Sequence, residues 1–118
     1  MRSINTEIVN ILSPIKPTYY ELYLDGSQEI PCISYQIIQN AEVAKGNING
    51  YSSISVRLKL WSTSVEELDS MSSDVDDALA TIGRFERTTV GELTDGDLIC
   101  WILDYSILIP EVYNTTRA

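Results

Sequence analysis

Between residues 51 and 83 the apolar side chains change period, and that change restricts the folds open to the chain. Ile54, Val56, Leu58 and Leu60 alternate with Ser53, Ser55, Arg57, Lys59 and Trp61, the two-residue repeat of a strand with one buried face. Beyond them Val65, Leu68, Met71, Val75, Leu79 and Ile82 fall three and four residues apart, which places them on one stripe of a helix. Ser64 stands where a cap accepts an orphan amide of the first turn, and Glu67 supplies the reciprocal half of a capping box. Gly83 follows the stripe and predicts a left-handed close to the helix. A strand that feeds such a helix requires the helix to cover the strand's own sheet.

The flanking segments supply the rest of that sheet. Ile4, Ile8, Ile11, Leu12 and Ile15 predict a first helix over residues 3–15, with Ser3 as cap and Pro14 and Pro17 ending it. Isoleucine is a mediocre helix former, so packing rather than propensity must hold this helix. Residues 19–24 read as a short strand that breaks at Asp25-Gly26, and residues 32–38 as a second with Ile33, Tyr35 and Ile37 on one face. Residues 39–50 have no period and form a long flexible connection within an antiparallel hairpin, a length often found in functional loops. Residues 84–93 alternate raggedly, and Asp95-Gly96 signals a tight turn. Ile99, Trp101, Leu103, Tyr105 and Ile107 then share one strand face, and Leu98, Cys100 and Ile102 the other until Asp104 and Ser106 turn it polar. A strand apolar on both faces calls for two covers, and another subunit is a candidate for the second. Pro110 stops the strand, and residues 110–118 read as a frayed tail.

The sum is one α+β domain of order α-β-β-β-α-β-β spanning residues 1–118, a mostly antiparallel sheet of four to five strands with two helices on one face. At 118 residues and 44% hydrophobic, the chain can bury roughly two-thirds of its unfolded surface without a staple. Cys32 and Cys100 sit singly in separate strands and read as buried free thiols, with a disulfide between adjacent strands as the alternative. With no charged-then-apolar leader and no run of membrane-spanning length, the expectation is a cytoplasmic protein without membrane contact.

Charge and side-chain chemistry narrow the function. The net charge is −9 and the basic residues are scattered, which disfavours binding to nucleic-acid phosphates. Histidine is absent, and with it the commonest general base and transition-metal ligand. The cysteines lack metal-ligand spacing, and no glycine-rich phosphate loop occurs. These features predict a non-enzymatic protein without metal or cofactor. Asp104 is the one acid in an apolar setting, with Arg57 or Lys59 as its expected partner. Arg57, Lys59 and Trp61 share the polar face of the central strand, a solvated surface or a subunit contact. Lys45, Asn47 and Asn49, in the long connection, are further candidates for partner contact. The helix from Ser64 carries six acids and no base. Such a face promotes solubility, repels something negative or awaits a basic partner.

The strings Pro31-Cys32-Ile33-Ser34-Tyr35-Gln36 and Val56-Arg57-Leu58-Lys59-Leu60-Trp61-Ser62 come in a telling order. A helix with the acidic opening Ser64-Val65-Glu66-Glu67 and the close Ala78-Leu79 follows, and then a final apolar strand. In order and spacing this resembles the tail-completion proteins of long-tailed bacteriophages and prophages, also called tail terminators or tail-to-head joining proteins. The resemblance spans roughly residues 17–109 and is poor over residues 84–97. It implies a structural role with no catalytic residues to carry over. Members cap the head-proximal end of the tail tube as a sixfold homo-oligomeric ring, end tube polymerisation and present the surface that joins the head. The implied partners are copies of the chain itself, the tail tube protein and a head connector or stopper protein. DNA passes without specific binding, which an acidic conduit would favour. The implied location is the host cytoplasm during assembly and then the virion. The alternatives are another head-tail connector or adaptor component and a small ligand-binding domain.

Overall fold

The structure, a computed structural model, describes residues 2–20, 28–39, 51–110 and 113–114. In chain order the elements are β1 (Arg2–Ser3), α1 (Ile4–Leu12), β2 (Thr18–Tyr20), β3 (Cys32–Gln39) and β4 (Tyr51–Ser62). They continue with α2 (Val65–Leu79), β5 (Arg84–Asp95), β6 (Leu98–Pro110) and β7 (Tyr113–Asn114). Five strands form one sheet in the order β2-β3-β4-β6-β5. All its pairings are antiparallel except β2 with β3. The fold is therefore α+β with a mostly antiparallel sheet and two helices, in the order the sequence predicts for its principal elements.

Its centre is β4. Ile54, Val56, Leu58 and Leu60 are all buried, and they sit in register with Ile107, Tyr105, Leu103 and Trp101 of β6. On the other side Ile37, Tyr35 and Ile33 of β3 face Val56, Leu58 and Leu60. Leu68, Met71, Val75 and Leu79 of α2, with Ile8 and Leu12 of α1, close over this surface in one core. The helical stripe and the strand alternation thus bury each other, roughly 1.5–3 kcal/mol for each large side chain removed from water. With its 15 residues, α2 is about 22 Å long. It carries the chain from the Ser62 end of the sheet back to the Ile54 end, where Arg84 enters opposite Leu108. β4 and β5 run in the same direction with β6 inserted between them, so the unit is a split βαβ.

The ends of α2 differ from the expectation in detail. Ser64 caps as predicted, accepting the Glu67 amide at 3.3 Å. The Glu67 carboxylate, however, turns to Ser62: Ser62 Oγ donates to Glu67 Oε1 at 2.7 Å and itself accepts the Ser64 amide at 3.1 Å. The box is closed through a buried serine placed between its two halves. Ser62→Ala should therefore cost about 1–2 kcal/mol by opening both bonds, read as a lower urea midpoint at unchanged slope. Gly83 does not close the helix in the left-handed region. The cap residue is Ala80 at φ −62°, and Thr81 and Ile82 continue through short-range bonds to Ala78 and Leu79. The carbonyls are satisfied by tightening of the last turn, which needs no positive φ.

Other boundaries shift for similarly local reasons. The first helix stops at Leu12, short of the predicted Ile15, and its last carbonyls are met from Ser13, Ile15 and Lys16. The predicted strand over residues 19–24 is Thr18–Tyr20, and residues 21–27 lie outside the described residues. β5 extends past the predicted 84–93 to Asp95, and its ragged alternation is a bulge: the register slips between Thr89 and Gly91, so the facing pattern inverts there. The Asp95-Gly96 signal holds, for Asp95 pairs with Leu98 around Gly96 at φ +64°, a conformation that suits glycine. Where a frayed tail is expected, Tyr113–Asn114 pairs in parallel with Arg2–Ser3. Cys32 and Cys100 are buried free thiols. Each stands opposite Trp61 from a different side of β4, which separates them by about 9.5 Å, too far for a disulfide.

Candidate functional site

Among the described residues the helices cover one face of the sheet, and the other carries the outward residues of β3, β4, β6 and β5, of which Cys32, Ser34 and Cys100 are buried. Strand alternation brings Arg57, Lys59 and Trp61 together on this outer face, as the sequence predicts. Arg57 is directly opposite Asp104 in the β4–β6 register, and its guanidinium grips that carboxylate with two bonds, Nε to Oδ1 at 2.7 Å and Nη2 to Oδ2 at 3.0 Å. Of the two bases offered as partner for Asp104, Arg57 is the one that meets it. Both side chains are about one-third exposed, so the pair contributes about 1 kcal/mol or less. Its larger effect is to hold two charges flat on the face in a fixed geometry. The Trp61 indole donates to the buried Ser34 hydroxyl at 3.0 Å, which pins the ring across β3.

Around the ion pair lies a shallow depression of about 360 Å³, lined among others by Ile38, Ser55, Thr88 and Ser106. Ile38 and Leu108 are 44% and 41% exposed at the edge of this polar centre. The face therefore mixes a rigid charged centre with uncovered apolar side chains, a composition suited to contact with protein. Lys45, Asn47 and Asn49 lie outside the described residues.

A second concave surface, of about 380 Å³, separates α2 from the β5–β6 hairpin on the helix side. Asp69 and Ser72 line one wall, and Arg87, Thr89, Glu92 and Trp101 the other. Trp101 Nε1 donates to Glu92 at 2.8 Å. Beside it Asp76 of α2 accepts from Tyr105 Oη at 2.6 Å and from Arg87 at 2.9 Å. Sequence reading placed Asp76 among solvated acids, whereas the fold gives it two partners from β5 and β6. Nothing in the local pattern around Asp76 signals them.

This network fixes the protonation of the phenol. Burial, then the hydrogen bond to Asp76 and its charge, push the Tyr105 phenol well above its usual range, against a smaller opposing effect of Arg87. The folded value lies above the unfolded one near 10. The stabilisation is thus complete below about pH 10 and is lost as pH rises through the folded value. Urea midpoints measured across alkaline pH should fall for the native chain, and fall less for Tyr105→Phe, which should cost about 1 kcal/mol at neutral pH. Burial likewise pushes the Cys32 thiol up to about 11. Both groups stay protonated at neutral pH, the opposite of what an activated nucleophile requires. Among the described residues no group of three or more Cys, Asp or Glu is placed to hold a metal ion, and no helix is long and apolar enough to cross a membrane.

Compared with models of known protein families, the chain matches none, and comparison with curated proteins likewise finds no match.

Proposed function

We propose that this chain is a structural assembly subunit, a tail terminator that caps the head-proximal end of a phage tail tube as a ring and offers the surface to which the head is joined. The observation that carries the reading is the junction of β4 with α2. The residues on which the family resemblance rests, Trp61-Ser62 and the acidic turn from Ser64, are tied into one unit by the Trp61–Ser34, Ser62–Glu67 and Ser64–Glu67 bonds. The one-sided layering supports it further. A sheet with helices on a single face keeps Ile38, Leu108 and the Arg57–Asp104 pair available for a neighbouring copy around a ring. Arg57, Lys59 and Trp61 are the residues assigned to that contact. An acidic surface on α2, with Asp74 and Asp77 exposed, suits a passage that DNA crosses without adhering.

The test is electron microscopy of the full chain mixed with polymerised tail tube protein of the phage that encodes it. Ring-shaped density at one end of each tube, with tubes that stop lengthening once capped, is the expected result. Bare ends and unchanged growth at saturating protein would refute the role. A different reading, a small ligand-binding domain, draws on the groove between α2 and the β5–β6 hairpin. It predicts saturable uptake of a small molecule by a protein that ignores tubes.

A further inference from the structure

We propose that β5 is a self-complementary sheet edge through which two copies of this chain pair antiparallel about a twofold axis. In the five-stranded sheet β5 is terminal, with β6 on one side and no strand on the other among the described residues. It is 12 residues long, and every residue except Phe85 and Gly91 is exposed. Its outward backbone amides and carbonyls are a template for a further strand.

The charges specify which strand. Arg84, Glu86 and Arg87 lie in the first half of β5, Glu92 and Asp95 in the second, so the first half is net basic and the second acidic. A register that sets Arg84 opposite Asp95 of a second copy also sets Arg87, which within its own chain is bonded to Asp76, opposite Glu92 of that copy. The twofold repeats both pairs, and opposite charges directly across an antiparallel pair are favourable. The faces agree as well. Arg84 and Asp95 are an odd number of residues apart and in an unbroken strand would point to opposite sides. The bulge at Val90 corrects this: Arg84 pairs with Leu108 and Asp95 with Leu98, residues of one face of β6, while Arg87 and Glu92 pair with Tyr105 and Trp101 of the other. The register that matches charge therefore also matches face. The axis falls between Thr89 and Val90, with Val90 and Leu93, 47% and 55% exposed, near the centre.

Charges and bulges on an edge commonly prevent pairing. A row of one sign would do so here by repelling its own copy. Both arginines of β5 instead lie before the bulge and Glu92 and Asp95 after it, and Glu86, the one acid in the first half, falls opposite the neutral Leu93 in this register, so an antiparallel copy is attracted and a parallel one in register meets like with like. Such a contact is isologous and closes at two copies. It describes the protein free of a tube and stands independently of the terminator reading.

Sedimentation velocity of the full chain, from micromolar to near-millimolar concentration, tests the pairing. The expected result is a monomer–dimer equilibrium that weakens as salt is raised. Arg84→Glu puts like charges opposite each other twice per dimer and should raise the dissociation constant about tenfold or more. The double variant Arg84→Glu/Asp95→Arg exchanges the signs and should return the constant to near that of the native chain. Both positions are exposed, and an unchanged circular dichroism spectrum confirms that each variant is folded. A chain monomeric throughout the range, a dimer indifferent to Arg84→Glu, or a double variant that fails to recover would each overturn the proposal.

Discussion

Leu58→Asp is expected to leave no folded protein at 25 °C. Leu58 is completely buried at the middle of β4, between Tyr35 and Leu103 in register and within the core that α1 and α2 close. Placing a carboxylate there costs several kcal/mol in desolvation and lost packing, against a total stability of about 5–15 kcal/mol. The decisive control is its neighbour. Lys59 projects to the outer face and is partly exposed, so Lys59→Thr should change stability by about 1 kcal/mol or less. Circular dichroism and urea unfolding of the two variants compare adjacent positions that differ mainly in which way they point. Equal losses would contradict the layering.

The second large effect concerns assembly and should leave the fold intact. Leu108→Glu places a charge on the outer face, at a residue already 41% exposed and opposite Ser53 and Arg84 in register. The monomer should unfold within about 1 kcal/mol of the native chain. In the proposed ring the same carboxylate is desolvated against a neighbouring copy, and capping of tail tubes should be lost. Tube-length distributions, with and without the variant, measure this. A variant that caps as well as the native chain would remove the outer face from the contact.

What could be read in advance follows from where the signal is periodic. The β4–α2 unit was legible because each element buries one face over several repeats, and each period survives folding unchanged. Asp104 was legible as an acid inside an apolar run, with its partner narrowed to the two bases on the facing strand. β5 was harder to read because the bulge at Val90 inverts its alternation midway. The parallel β2–β3 contact and the β1–β7 pair involve two or three residues each, too few to display a period. The Tyr105–Asp76–Arg87 network joins residues 29 and 11 apart in the chain. Only the crossover of α2 over β6 and β5 brings them together, so no local pattern announces it. Gly83 misled because composition suggests a left-handed close, whereas the chain satisfies those carbonyls by tightening its last turn.

The most direct measurement is a reconstruction, by electron cryomicroscopy, of a tail-tube end saturated with this protein. The terminator reading predicts a sixfold ring in which the face bearing Arg57, Asp104 and Leu108 of each copy meets the next copy, with the helices turned away from that contact. A tube end without added density, or a ring whose copies leave that face open to solvent, would contradict it.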